Sequence, residues 1–289
     1  MQTVTVPEGP HTEPDLDEAW LRPNYHAVIA DQFDAGRGYS ALMQAAAKKT
    51  PWEAPGPVHP VIRDGVVVVH ALSVASRQRL QDMVAASPTG FVTSEDMGHT
   101  FVAELCEELF EGSPGEALRA LYGPNFGAIY LSARRQWTAA TNEAKGQRVN
   151  SSRWHCDGGP TAHGRVLVYL NGPEEHDAAT WVADLQTTEI LKRVGYVFCQ
   201  MSDRIEDLGP FCERLGIPFA PRRFAPKAGE ALVFEPGRHL HKGEMTTRGY
   251  RDTLHVGVVP AVTGWRRWLD QAWVAVRGNN DNFPNVSVE

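Results

Sequence analysis

The sequence lacks the features that would place the protein in a membrane, outside the cell or on a nucleic acid. Its 289 residues contain no run of about 18 or more apolar residues, so no transmembrane helix is expected. The acidic, polar start of the chain lacks the basic residues and apolar segment of a secretory signal. The net charge of −7 argues against a general nucleic-acid or anionic-membrane binder. We therefore expect a cytoplasmic protein whose partners are neither nucleic acids nor membranes.

Cysteine is scarce, and its spacing excludes two further kinds of site. The sequence contains four cysteines, which are Cys106, Cys156, Cys199 and Cys212. They form neither a Cys-x-x-Cys pair nor a zinc-type pattern. Because no secretory signal is expected, we interpret all four as reduced thiols.

The start of the chain differs in composition from the rest. Residues 1–23 are rich in proline and acidic residues and indicate a tail, whereas 24–50 predict two short helices. A proline-rich loop follows at 50–57. We interpret 1–57 as an N-terminal extension that packs on a core domain formed by 58–289.

The core domain alternates between strand and helix patterns. β-Branched and apolar runs predict strands at 66–72, 126–131, 165–171, 180–182, 231–234 and 254–259. Helical spacing predicts helices at 73–84, 101–111, 115–122, 189–193, 206–215 and 265–276, the first with Ser73 as its N-cap. Helices followed by clustered strands favour an α+β protein with a β-sandwich or β-barrel at its centre.

A histidine and an aspartate lie two positions apart just before the strand predicted at 165–171. In extended backbone, alternate side chains point to the same face. His155 and Asp157 can therefore reach one metal ion together, while Trp154 and Cys156 point away. Two ligands do not form a site, so a third must come from elsewhere in the chain.

The segment 225–243 offers that third ligand. A Pro-x-x-Gly turn leads into an apolar strand, and two histidines follow, so His239 competes with His241 for the third position. Two imidazoles and a carboxylate suit Fe(II) and leave positions open for a 2-oxo acid and O2. Arg251, ten residues past His241, could bind the distal carboxylate of that acid through its forked guanidinium, with Arg248 as the alternative.

Taken together, these features resemble the Fe(II)/2-oxoglutarate-dependent dioxygenases, and in particular their prolyl-hydroxylase-like branch. The resemblance covers 153 to about 260. The matching motifs are His155-Cys156-Asp157, Tyr169-Leu170-Asn171, Pro226-Lys227-Ala228-Gly229, His241-Lys242-Gly243 and Arg251. Their order and spacing are more specific than the His-x-Asp pair alone.

The resemblance implies roles for individual residues. The implied iron ligands, which are also the catalytic residues, are His155, Asp157 and His241. The implied contacts of 2-oxoglutarate are Arg251, Tyr169 and Thr253. The resemblance also implies a double-stranded β-helix (jelly-roll or cupin-like) core flanked by N-terminal helices and a C-terminal helix. The segment 172–224 is longer than its counterpart in the family, and we interpret it as an insertion.

Three residues near the ligands are candidates for contact with a substrate, and each has a structural alternative. The candidates are Arg153, Trp181 and His239. Arg153 could instead be solvated, Trp181 could be a core residue, and His239 could line the pocket without binding metal. Arg134 and Arg135 form either a surface pair or a contact with a substrate carboxylate.

The implied reaction uses Fe(II), 2-oxoglutarate and O2 to hydroxylate, desaturate or cyclise an unactivated C–H bond. We expect a small-molecule substrate, such as an amino acid, a peptide or a secondary metabolite. Asp157 fills a position that holds a small residue in related halogenases, which favours oxygen transfer over halogen transfer. The alternative is a metal-binding cupin-like barrel without oxygenase activity, which would not need Arg251. The sequence does not predict the oligomeric state.

Overall fold

The fold is described from a computed structural model of the chain. The structure describes residues 59–144, 150–157, 163–193, 196, 204–214, 216–261 and 263–277. The predicted N-terminal extension and Cys199 lie outside these residues. The division into an extension and a core domain therefore stays a prediction.

Short helices and strands alternate along the described residues. The helices are α1 (Pro60–Asp64), α2 (Val74–Ala86), α3 (Ser94–Met97), α4 (His99–Glu111), α5 (Ser113–Tyr122), α6 (Ala139–Ala144), α7 (Leu185–Arg193), α8 (Gly209–Arg214) and α9 (Trp265–Arg277), with a 3-10 turn at Asn150–Ser152. The strands are β1 (Val66–His70), β2 (Phe91–Thr93), β3 (Phe126–Trp137), β4 (Gly164–Tyr169), β5 (Thr180–Val182), β6 (Arg222–Phe224), β7 (Glu230–Phe234), β8 (His241–Gly243) and β9 (Tyr250–Pro260). None of the helices in the described ranges has the length and apolar character needed to cross a bilayer.

The strands form two antiparallel sheets. The larger sheet has the order β1-β7-β4-β9-β3-β2, and the smaller has the order β6-β5-β8. The predicted α+β class is thus confirmed as a mixture of helices and antiparallel sheet. The segment 172–224, predicted to be an insertion, supplies β5 and β6, so part of it belongs to the smaller sheet.

Each predicted strand has a counterpart, but two are longer than expected and three strands were missed. The strands predicted at 126–131 and 254–259 became β3 and β9 because they pair with each other from Phe126 opposite Pro260 to Trp137 opposite Tyr250. The missed strands are β2, β6 and β8. Each has three residues and is defined by pairing with a neighbour rather than by its own pattern.

The two faces of the larger sheet differ in chemistry. Alternate residues of β4 and β9, including Val166, Val168, Leu254 and Val256, belong to the main apolar core together with residues of the helices. Because strand side chains alternate, the residues between them point to the opposite face. That second face carries Arg165, Tyr169, Arg251, Thr253 and His255, a composition that a purely structural core would avoid.

The smaller sheet covers this polar face. Phe224 of β6 packs against an apolar cluster of larger-sheet residues that includes Leu167, Leu232 and Phe234. The Tyr169 hydroxyl of β4 is 2.7 Å from the Thr180 hydroxyl of β5. The polar face of the larger sheet therefore forms one wall of a space enclosed by the smaller sheet.

Helix α9 closes the apolar face, and its fit against β3 gives a test of the packing. The buried Trp268 donates a hydrogen bond from its indole to the Ala128 carbonyl, at 2.8 Å. A Cβ at Gly127 would lie 2.1 Å from Trp268 Cδ1. We expect Gly127→Ala to lower the free energy of unfolding by about 1–3 kcal/mol through overpacking, measured by chemical denaturation.

Gly264→Ala provides the matched control for this variant. A Cβ at Gly264 has no atom within 4 Å, so we expect no overpacking and a loss below about 1 kcal/mol, because alanine is a weaker N-cap for α9 than glycine. Equal effects of the two substitutions would show that α9 does not pack on β3 as described.

Candidate functional site

Backbone pairing brings two of the predicted ligands together. His155 and His241 exchange two main-chain hydrogen bonds, with N–O distances of 3.0 and 2.9 Å, which join the segment around His155 to the start of β8. Their imidazole centroids are 4.5 Å apart as a result. The Asp157 amide donates to the Pro236 carbonyl at 3.0 Å, which holds the carboxylate beside both rings.

The three side chains present their donor atoms to one point. Asp157 Oδ1 is 3.3 Å from His155 Nε2 and 3.7 Å from His241 Nε2, and all three donor atoms lie within 4.8 Å of one another. Ligands about 2.1 Å from a metal lie about 3 Å apart when they occupy adjacent octahedral positions. The spacing therefore fits a metal ion bound by two imidazoles and one carboxylate.

Backbone carbonyls fix the two imidazoles for this role. His155 Nδ1 donates to the Arg153 carbonyl at 2.7 Å, and His241 Nδ1 donates to the His239 carbonyl at 2.9 Å. The Nε2 lone pairs are thus left to face Asp157, an arrangement typical of metal-binding histidines. Burial, followed by the proximity of His155, lowers the pKa of His241 to about 3, so this ring is neutral at physiological pH.

Arg165 orients the carboxylate. Its Nη2 donates to Asp157 Oδ2, on the side of the carboxylate away from the histidines. Burial acts to raise the pKa of Asp157, but the charge of Arg165 and the contacts with His155 and His241 together outweigh it and hold this pKa well below its usual range. Asp157 is therefore ionised, with Oδ2 engaged by arginine and Oδ1 directed at the two imidazoles.

His255 supports Arg165 from the other side. Arg165 Nη1 lies 3.3 Å from His255 Nδ1, and since the guanidinium can only donate, His255 Nδ1 accepts. His255 Nε2 then carries the proton and donates to the Thr253 hydroxyl at 3.1 Å. Burial, and then the nearby arginines, lowers the pKa of His255 well below its usual range, consistent with a neutral ring.

A cavity adjoins the cluster and contains the predicted anchor. Its lining consists of Arg134, Ser151, His155, Arg165, Leu167, Thr180, Phe234, His241, Gly243, Arg251, Thr253 and His255. Three of these residues are arginines, and none of them is an acid. The cavity is thus strongly cationic within a protein of net charge −7, which favours an anionic ligand.

Arg251 is held rigidly in this wall. The residue is only 4% exposed, Nη1 donates to the Ala179 carbonyl at 3.0 Å, and Nη2 donates to Gln136 Oε1. A Cβ at position 243 would lie 2.9 Å from Arg251 Nη2, so the glycine after Lys242 gives the guanidinium room. Arg251 Nε is buried and has no hydrogen-bond partner, as does Nε of Arg165. A carboxylate bound in the cavity would accept hydrogen bonds from such unsatisfied buried donors.

Tyr169 and Thr253 lie close to Arg251, as predicted for 2-oxoglutarate contacts. The Tyr169 hydroxyl is 3.5 Å from Arg251 Nη1 and is hydrogen-bonded to the hydroxyl of Thr180, a residue that lines the cavity. Thr253 lines the cavity directly. Their roles toward a cosubstrate stay predictions.

The three candidate substrate residues are not brought to the cavity. Arg153 is exposed, and Trp181 packs on the cluster of Trp154, Cys156 and Leu240, on the face of β5 opposite Thr180. This cluster also confirms that Trp154 and Cys156 point away from the ligands.

His239 lies apart from the three ligands. Its ring packs beside Gly65, where an added Cβ would lie 2.0 Å from His239 Cε1. His241, and not His239, shares the cluster with His155 and Asp157.

Arg134 and Arg135 point to opposite faces of β3. Arg135 forms a two-point ion pair with the buried Asp252, at 2.8 and 2.7 Å. Arg134 lines the cavity instead. The pair is therefore not a surface pair, and only Arg134 belongs to the site.

Two residues of the site were not predicted from the sequence, namely Arg165 and His255. The sequence could have indicated both residues, because each is a polar position within an otherwise apolar predicted strand. Alternation places Arg165 on the same face of β4 as Tyr169, and His255 on the same face of β9 as Arg251.

Comparisons with known proteins give distant structural similarity. No protein-family model matches the chain, and no curated protein matches it. The non-heme α-ketoglutarate-dependent epimerase SnoN from nogalamycin biosynthesis is 13% identical, with a TM-score of 0.45, covering 76% of this chain and 83% of that chain. The non-heme monooxygenase ThoJ is 12% identical, with a TM-score of 0.48 and coverage of 72% and 80%.

A third similar structure is iron-bound HygX from Streptomyces hygroscopicus. It is 12% identical, with a TM-score of 0.46, and the match covers 74% of this chain and 89% of that chain. These scores describe remote similarity and do not by themselves assign a function to the chain.

Proposed function

We propose that the protein is a non-heme Fe(II)- and 2-oxoglutarate-dependent dioxygenase that hydroxylates, desaturates or cyclises an unactivated C–H bond of a small molecule. One observation carries the proposal. The donor atoms of His155, Asp157 and His241 converge within 4.8 Å, and the buried Arg251 lines the cavity beside them. A metal site alone would not need a buried arginine with an unsatisfied donor.

His155, Asp157 and His241 would hold Fe(II), and the chain prepares each of them before the metal arrives. Two carbonyls fix the imidazole tautomers, and Arg165 turns Asp157 Oδ1 toward the histidines. When bound, Fe(II) with 2-oxoglutarate and O2 supplies the oxidant for the C–H bond. Contacts that fix metal ligands in this way commonly raise metal affinity about tenfold to a hundredfold. We expect a contribution of about this size from Arg165.

Arg251 would bind the distal carboxylate of 2-oxoglutarate. Its guanidinium is held by Gln136 and the Ala179 carbonyl, so little conformational freedom is lost on binding. Tyr169 is bonded to Thr180, and we propose that it adds a hydroxyl contact to the same carboxylate. Thr253 is a further candidate because it lines the cavity.

Asp157 argues for oxygen transfer over halogen transfer. The carboxylate fills the ligand position and is held there by Arg165, so a chloride ion has neither space nor a favourable charge at that position. His155 and His241 alone would leave that position open.

We also propose a jelly-roll arrangement of the core and membership of the prolyl-hydroxylase-like branch. Two antiparallel sheets with the site between them support the arrangement. The motif order from His155 to Arg251 supports the branch. A cytoplasmic location and a role in secondary metabolism belong to the same proposal.

An absorption measurement tests the proposed function. Anaerobic addition of Fe(II) and 2-oxoglutarate to the wild-type protein should give the weak visible band of a metal–keto acid chelate. Iron binding without that band would contradict the proposal and favour a cupin-like metal-binding protein without oxygenase activity. If the band forms, succinate release in a screen of amino acids and peptides would identify the substrate.

A further inference from the structure

Arg134 is a cation of the cavity without a partner in the described part of the chain. Within 59–144 and the other described ranges, its side chain forms no hydrogen bond and no ion pair, whereas the side chain of Arg165 binds Asp157 and that of Arg251 binds Gln136. Burial, and then the charges of Arg251 and Arg165, lowers the pKa of Arg134 to about 10, which still leaves it protonated at physiological pH. An enclosed charge without a counterion is unfavourable and is stabilised by an anionic ligand.

Arg134 lies next to the proposed cosubstrate anchor but on a different strand. It lies on β3 opposite Thr253, while Arg251 is opposite Gln136 and Arg165 is on β4 opposite Gly257. Arg134 therefore approaches the cavity from the β3 side, and Arg165 approaches from the β4 side. The anchor and the metal cluster would be occupied by the two ends of 2-oxoglutarate, which leaves Arg134 for another group.

The charge balance of the site with a metal ion and 2-oxoglutarate bound also favours an anionic substrate. Three guanidinium cations and a divalent metal would be opposed by Asp157 and the dianionic 2-oxoglutarate. Two positive charges then remain in excess at a cavity lined by no acid among the described residues. Electrostatic complementarity therefore favours a substrate with negative charge over a neutral one.

We propose that Arg134 is a substrate-binding residue that pairs with a carboxylate or another oxyanion of a small-molecule substrate. This inference rests on the proposed oxygenase function and narrows its substrate class to anionic molecules. The planar guanidinium binds such groups through two parallel hydrogen bonds. Arg153 and Trp181, the substrate contacts expected from the sequence, lie outside this cavity lining.

The test uses a matched pair of probes on the loaded protein. The full-length chain is saturated with Ni(II) and 2-oxoglutarate and titrated calorimetrically, at constant ionic strength, with N-acetylglycine, its neutral amide N-acetylglycinamide, and inorganic phosphate. We expect N-acetylglycine to bind and the amide not to bind. We expect Arg134→Gln to weaken N-acetylglycine binding about tenfold or more, as loss of a charged partner implies.

Two control measurements exclude general effects of removing an arginine. Arg79→Gln removes an exposed arginine that pairs with Glu104 on the surface, and it should leave probe binding unchanged. Arg134→Gln itself should bind 2-oxoglutarate like the wild type. Phosphate binding that requires Arg134 would still support a site for an anionic ligand and would indicate phosphate esters as substrates.

Three results would overturn the inference. They are equal binding of acid and amide, no binding of either anion to the loaded wild type, and loss of 2-oxoglutarate affinity in Arg134→Gln. Failure of the oxygenase proposal looks different, because the wild type would then not bind 2-oxoglutarate, whether or not it binds Ni(II). In that case, Arg134-dependent binding of N-acetylglycine to the metal-free protein would still support the anion site.

Discussion

Replacing Asp157 with alanine is expected to lower metal affinity by more than about 100-fold, because loss of an outer contact alone can cost that much. The substitution removes Oδ1, which lies 3.3 and 3.7 Å from the two histidine nitrogens. It also leaves Arg165 without its carboxylate partner, so a guanidinium cation faces the position of a metal cation. Calorimetric titration with Ni(II) measures the affinity, and the visible band with Fe(II) and 2-oxoglutarate should disappear.

Two comparisons make this result specific. Asp207→Ala removes an exposed aspartate whose carboxylate accepts a hydrogen bond from the Gly209 amide, and it should bind Ni(II) like the wild type. His241→Gln should lose Ni(II) binding, whereas His239→Gln should retain it, since only His241 is in the cluster. Circular dichroism of each metal-free variant separates lost ligands from lost fold. Unchanged Ni(II) affinity in folded Asp157→Ala would contradict the ligand assignment.

The ligands could be predicted from the sequence because they depend on local geometry. Extended backbone places His155 and Asp157 on one face whatever the rest of the chain does. The same rule placed Cys156 on the other face, where it is buried beside Trp154 and Leu240. The choice of His241 over His239 needed the spacing to Arg251, and backbone pairing between His155 and His241 provides the physical reason for it.

The rest of the site depends on contacts between distant segments. Arg165 matters because β4 lies between β7 and β9, in a register that sets it opposite Gly257. No local pattern determines that register. Trp181 illustrates the same limit, since alternation separates it from Thr180 without showing which of the two faces inward. The smaller sheet, which decides the matter, contains β6 and β8, whose three-residue strands have no distinct pattern.

Replacing Arg251 with glutamine is expected to weaken 2-oxoglutarate binding about 30-fold or more, as removal of one partner from a buried charge pair implies. Ni(II) affinity should change little, because the structure gives Arg251 no hydrogen bond or ion pair with His155, Asp157 or His241 and bonds it instead to Gln136 and the Ala179 carbonyl. Calorimetric titration of the Ni(II)-loaded variant with 2-oxoglutarate measures the loss. The visible band with Fe(II) should then require a correspondingly higher concentration of 2-oxoglutarate.

Arg248 supplies the matched control because it is the other arginine considered for this role. It is exposed, and its Nη2 donates to the Pro173 carbonyl at 3.2 Å, away from the cavity lining. Arg248→Gln should therefore bind 2-oxoglutarate like the wild type, and the opposite ranking of the two variants would move the anchor to Arg248. Arg251→Lys keeps the charge and loses the planar fork, so an intermediate affinity would show that two-point binding contributes beyond charge alone.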